Sequence, residues 1–225
     1  MKGYSQFCPV AKAAEIITMR WTPLVLRELM CGGKRFSDLR RGLRQMSPSL
    51  LSKRLKELEH HGIVERLTVE GETAGHYTLT ESGHQLRPVI EALGAWGHRW
   101  SRSQVGDEDL DAGLLMWDMR RRLSCNGLPV KRLVVHFEMM DAPAAQRRWW
   151  LVFDDEVDLC LQNPGYDVDV EVTSDLRTMV DVWLGHTDTR AALRSQTMEL
   201  TGNRANVRAF KSMFKSPFVP TAAHA

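Results

Sequence analysis

The sequence lacks several features that would assign it to a class at once. It has no apolar run near the roughly 18 residues that a membrane-spanning helix requires. Lys12 and Glu15 interrupt the amino-terminal segment in which a signal peptide would have its apolar core. We therefore expect a cytoplasmic protein that has no membrane partner.

Cysteine is scarce, with four residues in a chain of 225. Cys8, Cys31, Cys125 and Cys160 are scattered, and no Cys-x-x-Cys pair or pair of histidines at metal-ligand spacing occurs. This pattern argues against a disulfide framework and against a zinc site. We expect reduced thiols, no metal and no other cofactor.

Motifs of catalysis are also missing. The sequence has no Gly-x-Ser-x-Gly, no glycine-rich phosphate loop and no His-Glu-x-x-His, and the pair Asp154-Asp155 lies in a predicted turn between strands. We therefore expect no catalytic residues and a protein that is not an enzyme.

The charge is present in ordinary amount but is divided unevenly along the chain. Apolar residues make up 43% of the sequence, charged residues make up 26%, and the net charge is +2. Residues 1–102 carry 16 Lys and Arg against 10 Asp and Glu, whereas residues 103–225 carry 14 against 18. A basic and an acidic half predict two domains, of which the first is suited to nucleic acid.

Short helices are predicted to follow one another in the first 45 residues. Pro9 suits the first position of a helix over residues 9–18, and Thr22-Pro23 begins a second helix that Gly32-Gly33 ends. Ser37 is the predicted cap of a short third helix, which is basic.

A fourth helix is specified at both ends, because Ser47 can cap it, Pro48 suits its first position and Gly62 ends it. Its leucines recur at the spacing of one buried helical face. The opposite face then carries small hydroxyls and cations, which can reach phosphates and base edges. That outer face contains Ser49, Ser52, Lys53 and Lys56.

A hairpin is predicted directly after this helix. Residues 63–69 and 76–79 are rich in strand-forming side chains and are joined by a segment that contains Gly71 and Gly75. Residues 80–83 then begin one long helix that extends to Trp100.

These elements carry motifs that resemble the HxlR-type winged helix-turn-helix regulators, in the same order and over about residues 5–101. The motifs are Phe7–Val10, Arg20–Thr22, Arg27–Leu29, Arg35–Leu39, Leu51–Leu58, Gly62–Arg66, Tyr77–Gly83 and Trp96-Gly97. The resemblance implies that the fourth helix enters the major groove of DNA, that the hairpin forms a wing beside it, and that the terminal helices form a two-fold dimer.

Carried onto this sequence, the resemblance nominates ten DNA-binding residues on three elements. They are Arg35 and Ser37 on the preceding helix, Ser47, Ser49, Ser52, Lys53, Arg54 and Lys56 on the reading helix, and Arg66 and His76 on the wing. The wing tip, Glu70–Thr73, is acidic and departs from the most basic members of the family. Insertion of that tip into a minor groove is therefore in doubt.

The second half begins with a polar linker, residues 102–111, and continues with alternating strands and amphipathic helices. Helices are predicted over residues 112–123, 174–184, 188–195 and 203–214, and strands over 131–139, 147–153, 157–162, 168–173 and 198–201. Together with the motifs Val170–Gly185 and Leu200–Asn203, this order resembles the sterol-carrier-protein-2-like domains. The fold class expected for the chain is α+β, with a winged helix at residues 1–101 and a sheet-and-helix domain at residues 112–225.

The second resemblance implies an apolar cavity between sheet and helices, and hence a hydrophobic small molecule as a ligand. The nominated lining residues are Trp117, Phe137, Met139, Trp150, Leu161, Met179, Trp183, Met198 and Phe214. Large apolar side chains of this kind are also ordinary core residues, and that alternative stays open.

The combined reading is a regulator, more readily a repressor than an activator, that binds double-stranded DNA as a homodimer on an inverted repeat. Two alternatives remain. The chain could be a carrier or sensor of a lipid or other hydrophobic ligand whose winged helix serves only dimerisation or protein contacts. It could also be a redox sensor that acts through Cys8, since some members of the resembled family use a cysteine near the amino terminus as a thiol switch.

Overall fold

The computed structural model describes residues 3–68, 75–101, 104–125, 128 and 130–213. The chain divides into two compact units, Met1–Gly94 and Ala95–Ala225. No helix within the described ranges is long and apolar enough to span a bilayer.

The first unit consists of short helices and one antiparallel hairpin. Its elements are α1 (Pro9–Ile17), α2 (Thr22–Met30), α3 (Phe36–Gly42), α4 (Pro48–His60), β1 (Val64–Leu67), β2 (His76–Leu79) and α5 (Glu81–Gln85), after which α6 (Arg87–Trp100) begins. Val64 pairs with Leu79, and Leu67 pairs with His76. The order of helices followed by a hairpin confirms the winged helix-turn-helix fold class.

The core of this unit lies between α2, α3, α4 and the base of the hairpin. Leu26 and Leu39 are fully buried, and Leu51, Leu55 and Leu58 from the inner face of α4 join them. The leucine spacing of α4 therefore predicted its buried face correctly.

Two local predictions for this unit were wrong. The helix expected over residues 80–100 is broken at Leu86 into α5 and α6, because Pro88 has no N–H to continue the hydrogen-bonding of α5. Ser37 does not cap α3, whose N-cap is Arg35. There the Asp38 carboxylate accepts the backbone N–H of Arg35 at 3.4 Å, so the helix starts earlier than the serine suggested.

The second unit contains one sheet and several helices. Its elements are α7 (Ala112–Arg122), β3 (Leu133–Met139), α8 (Ala144–Arg147), β4 (Arg148–Phe153), β5 (Val157–Cys160), β6 (Val170–Ser174), α9 (Leu176–Trp183), α10 (Thr189–Arg194), β7 (Met198–Gly202) and α11 (Arg204–Met213). Asp111, Asp175 and Asp188 cap α7, α9 and α10 through their carboxylates.

The five strands form one sheet in the order β5-β4-β3-β6-β7. Neighbours are antiparallel except β3 and β6, which are parallel, with Phe137 opposite Val172. One face of the sheet packs against α7, α9 and α11, and the aromatic rings of Phe137 and Phe210 lie 5.9 Å apart in that layer. The arrangement confirms the predicted α+β class for this half.

The residues nominated for an apolar cavity do not share one location. Five of them are buried in the core between sheet and helices: Phe137, Met139, Met179, Trp183 and Met198. Trp117 is also buried but is not part of that core cluster. Trp150 alternates with core residues along β4 and stacks on His136 on the opposite face, at 4.8 Å between ring centroids. Leu161 is 67% exposed, and Phe214 lies outside the described residues. The assignment of Trp150 and Leu161 to a shared cavity was therefore wrong.

The arginine run of α7 is largely used inside this unit. The Asp118 carboxylate accepts hydrogen bonds from Arg121, from Arg122 Nε at 3.0 Å and from the indole N–H of Trp183 at 2.8 Å. Burial disfavours the charge of Asp118, but the two guanidinium groups and the indole outweigh it, and the pKa of Asp118 lies below its ordinary value. Arg120 lies over the Trp117 ring, 5.2 Å from its centroid.

Candidate nucleic-acid interface

The amino-terminal turn of α4 has the capped geometry that the sequence predicts. The Ser47 hydroxyl accepts the backbone N–H of Leu50 at 3.3 Å and lies 3.2 Å from the Ser49 hydroxyl. Ser47 and Ser49 are exposed, and Pro48 occupies the first helical position. The helix therefore starts with small polar side chains at a surface that a phosphate can approach.

The outer face of α4 forms a groove of about 480 Å³. Four of the predicted DNA-binding residues meet in it: Ser49, Ser52, Lys53 and Lys56. Three further residues line the same groove and were not predicted: Glu57, His60 and His61. Their position on the outer face follows from helical periodicity, since Glu57 and His60 lie one turn beyond Lys53 and Lys56.

Lys53 and Lys56 are exposed, and neither ammonium group has an ion-pair or hydrogen-bond partner among the described residues. Unpaired cations on a helix surface attract phosphate groups. A duplex at this groove would therefore meet two free positive charges and two serine hydroxyls.

Arg54 does not belong to this face, which corrects its assignment as a DNA-binding residue. Its side chain is 9% exposed, its guanidinium binds Glu57, and its Nη1 lies 3.4 Å from the sulfur of Met19. Arg54 is one position before Leu55 and three after Leu51, so the helix turns it toward the same core. The carboxylate of Glu57 is thereby held by an intramolecular cation at the edge of the groove.

Arg35 and His76 were nominated on separate elements, and the fold brings them together. Arg35 Nε donates to His76 Nε2 at 3.4 Å, and the backbone N–H of Tyr77 donates to the carbonyl of Lys34 at 2.8 Å. The start of α3 is thus tied to strand β2. Ser37 is exposed in the first turn of α3.

Arg66 is exposed on β1, where its guanidinium lies over the Tyr77 ring at 5.9 Å from the centroid. Its position near the end of the strand agrees with a place on the flank of the wing. The acidic segment Glu70–Thr73, for which minor-groove insertion was doubted, lies outside the described residues.

Helices α1 and α6 expose apolar side chains to solvent. None of the residues of α1 is buried. Phe7 is fully exposed, and Trp96 and Trp100 of α6 are each 60% exposed. Such surface is unusual for an isolated unit and is typical of an interface.

Cys8 is half-buried at the N-cap of α1. All four cysteines are free thiols. Burial raises the pKa of the Cys125 and Cys160 thiols above the ordinary value, which makes both less reactive.

Two family models match the chain. The HxlR-like helix-turn-helix family matches residues 16–105, and the SCP-2 sterol transfer family matches residues 129–215. The two matches coincide with the helical part of the chain and with its sheet-and-helix part.

Two relatives from Bacillus subtilis (strain 168) match the first of these regions. The uncharacterized HTH-type transcriptional regulator YvaP is 37% identical over 98 residues, which cover 43% of this chain and 91% of that protein. The HTH-type transcriptional regulator YodB is 37% identical over 95 residues, which cover 41% of this chain and 85% of that protein.

Solved structures with similarity to the chain include the reduced form of YodB from B. subtilis and the redox regulator HypR in its reduced form. The YodB structure is 37% identical, with a TM-score of 0.37, and covers 45% of this chain and all of that one. The HypR structure is 28% identical, with a TM-score of 0.41, and covers 43% of this chain and 97% of that one.

Proposed function

The chain belongs to the HxlR-like helix-turn-helix family of transcriptional regulators, and we propose that it represses transcription as a homodimer that reads an inverted repeat with the outer face of α4. The observation that carries this proposal is the groove on α4. There Lys53 and Lys56 are exposed, with no partner among the residues that the structure describes, beside Ser49 and Ser52. The lysines supply phosphate contacts, and the small hydroxyls at the start of the helix let the backbone approach base edges.

The homodimer is supported by the exposed apolar side chains of α1 and α6. Val10 is 75% exposed on α1, and Leu93, Trp96 and Trp100 are more than half exposed on α6. Burial of these side chains against a second copy would remove apolar surface from water. A two-fold dimer would place two α4 helices in successive major grooves, about 34 Å apart.

DNA binding is tested by fluorescence anisotropy with the DNA upstream of the protein's own gene and with a random duplex, over a range of salt concentrations. Lys53→Ala and Lys56→Ala should each weaken binding and lower the slope of log affinity against log salt by about one unit, because each removes a phosphate contact. Lys131→Ala is the matched control, since Lys131 is exposed in the second unit.

Equal affinity for the two duplexes would contradict specific regulation and would favour the ligand-carrier alternative. An unchanged salt slope in both variants would show that the outer face of α4 does not contact DNA phosphates. Repression itself is tested with a reporter gene, whose expression should rise when the Lys53→Ala variant replaces the wild type.

The dimer is tested by sedimentation of Trp96→Glu, which places a charge in the apolar face of α6. The wild type should sediment at twice the monomer mass of 25.6 kDa, and the variant should shift toward the monomer. The control is Glu91→Lys, which changes the charge of an exposed residue on the same helix. This variant should leave the dimer intact. A monomeric wild type would contradict the proposed mode of operator binding.

We also propose an apolar effector for the second unit, although five of the nominated side chains pack in its core. Native mass spectrometry of the purified protein tests it by a co-purifying apolar mass. A protein that carries no such mass, and whose DNA binding no apolar compound changes, would contradict it.

A thiol switch is a second candidate mode of regulation, favoured by the partial exposure of Cys8 at the start of α1. Oxidation there would act on a helix whose apolar face is proposed to form the dimer. Diamide should release the wild type from DNA and should leave Cys8→Ser bound. Release of Cys8→Ser at the same diamide concentration would eliminate this thiol as the sensor.

A further inference from the structure

The second unit contains a cleft that the regulator proposal does not use. It has a volume of about 500 Å³ and lies where the carboxyl end of α9, the start of α10 and the last turn of α11 meet. A volume of this order suits a ligand of metabolite size. Its lining residues are Val182, Gly185, Thr187, Asp188, Thr189, Arg190 and Lys211.

Two cations on different helices converge on this cleft. Arg190 belongs to α10 and Lys211 to α11, and neither has an ion-pair or hydrogen-bond partner through its side chain in the described part of the chain. Residues 103–225 carry four more acidic than basic residues, so carboxylates are plentiful in this half. A shortage of acidic partners therefore does not explain why these two cationic side chains are unpaired in the described structure.

Other arginines of the unit show the usual arrangement. Arg132 pairs with Asp154 at 2.6 Å, and Arg177 pairs with Asp107 at 2.6 Å. Each of these guanidinium groups fixes one chain segment to another. Arg190 makes no such connection to any described residue and lines the cleft instead.

The carboxylate in the cleft is already engaged. Asp188 caps α10, and its Oδ1 accepts the backbone N–H of Ala191 at 2.7 Å. Among the described residues that line the cleft there are one acid and two cationic side chains, an excess of one positive charge. A ligand that carries one negative group would balance that charge.

The remaining lining adds hydrogen-bonding groups and a small apolar surface. The hydroxyls of Thr187 and Thr189 line the cleft and form no side-chain hydrogen bond within the described residues. Val182 is 4% exposed and forms an apolar floor. Hydroxyl donors suit an oxyanion, and the valine suits a short hydrocarbon part.

We propose that this cleft binds a small organic anion, which has one carboxylate or phosphate group held by Arg190 and Lys211 and a short apolar body over Val182. Arg190 supplies a planar fork of donors that matches either group, and Lys211 supplies a point charge. The binding goes beyond DNA regulation and does not depend on it, since the free protein presents the cleft.

The experiment is isothermal titration calorimetry of the full chain with three probes that share a hexyl chain: heptanoate, hexyl phosphate and hexanol. At least one of the two anions should bind at millimolar concentration, and the neutral alcohol should not. The anion that binds more tightly identifies the preferred head group.

Arg190→Gln and Lys211→Gln should each weaken that binding about tenfold, because each removes a charged hydrogen-bond donor. Arg194→Gln is the matched control, since Arg194 is an exposed arginine at the end of α10 that does not line the cleft. Circular dichroism of the three variants should match that of the wild type, which excludes misfolding as the cause of a loss.

Several results would overturn the proposal. They are failure of both anions to bind, equal binding of hexanol, or unchanged affinity in both cleft variants. A loss of DNA affinity and of salt slope in Arg190→Gln and Lys211→Gln, without loss of anion binding, would instead identify the two cations as contacts to a DNA backbone. The anion titrations do not require DNA, so failure of the proposed operator binding leaves their outcome unaffected.

Discussion

Helices α4 and α7 are both rich in cations, yet they place these charges in opposite ways. On α4, Lys53 and Lys56 are exposed and unpaired within the described structure. On α7, Arg121 is 6% exposed and shares the Asp118 carboxylate with Arg122. A run of basic residues is therefore not by itself a surface for nucleic acid.

The difference arises from the position of one carboxylate on each helix. Asp118 lies three and four residues before the arginines that it binds, on the buried side of α7. On α4, Glu57 is four residues after Lys53 and three after Arg54, and it binds the buried Arg54. The acid thus neutralises an inward cation on both helices, and α4 alone keeps additional cations outside.

The largest effect is expected for Asp118→Asn, which removes the carboxylate that pairs with Arg121 and Arg122 on α7. The change leaves Arg121 buried without its anion, so the free energy of unfolding should fall by about 3 kcal/mol in urea denaturation. DNA affinity should be unaffected after correction for folded protein. Glu199→Gln, at an exposed position on β7, is the control and should cost little.

The same carboxylate gives this prediction a pH dependence. Because the folded pKa of Asp118 is lowered, its contribution to stability is present above the unfolded pKa and is lost as the pH falls through the folded pKa. The difference between wild type and Asp118→Asn should therefore shrink in acid. If the difference in free energy of unfolding between the two proteins stayed constant into acid, the ion-pair explanation would be contradicted.

A smaller effect is expected for Arg54→Met, which tests whether this residue of α4 behaves like the arginines of α7. Loss of the contacts to Glu57 and Met19 should lower the free energy of unfolding by about 1–2 kcal/mol. The double variant Arg54→Met/Glu57→Gln, which leaves no unpaired carboxylate at the groove, should retain the wild-type salt slope of DNA binding. If the slope of log DNA affinity against log salt fell by about one unit in the double variant, Arg54 would contact a DNA phosphate after all.

A still smaller effect concerns His136, a buried group in the second unit that can become charged. Burial lowers its pKa, against the opposing influence of Glu171 and Glu138, while Arg148 lowers it further. The unfolded chain therefore binds the proton first, and stability should decline as the pH falls through the ordinary pKa of histidine, about 6.5, toward the lower folded pKa. His136→Gln should flatten this decline, measured by urea unfolding at each pH. An equally steep decline in the variant would show that other groups cause it.

The smallest effect on stability is expected for the double variant Lys53→Gln/Lys56→Gln. Both side chains are exposed and unpaired in the described structure, so the free energy of unfolding should change by less than about 0.5 kcal/mol. Its affinity for DNA should fall, and the slope of log affinity against log salt should drop by about two units. A loss of stability comparable to that of Asp118→Asn would remove the distinction between the two helices.

Much of the fold could be predicted from local signals. The capped start of α4 at Ser47 and the leucines of its inner face were correct, because caps and periodicity act within a few residues. The break between α5 and α6 was missed, although Pro88 was visible in the sequence. The cap at Arg35 was missed because serine is the stronger local candidate for a cap, whereas this helix starts where the Asp38 carboxylate accepts the backbone N–H of Arg35.

The candidate interface could be predicted in part. Ser49, Ser52, Lys53 and Lys56 lie together in one groove as their spacing on α4 requires. Glu57 could have paired with Lys53 or with Arg54 by spacing alone, and burial of Arg54 decided between them. The contact between Arg35 and His76 joins residues 41 positions apart, which no local pattern indicates.

The sequence by itself determined the two halves of opposite charge, the helix-turn-helix motifs and the alternation that builds the sheet, since composition, caps and periodicity are local properties. Only the tertiary structure decided which cations are free. It buries Arg54 and Arg121 beside carboxylates, exposes Lys53 and Lys56, and brings Arg190 and Lys211 from two helices to one cleft. The physical reason is that the partner of a charge is set by distance and burial, which depend on packing between elements far apart in the chain.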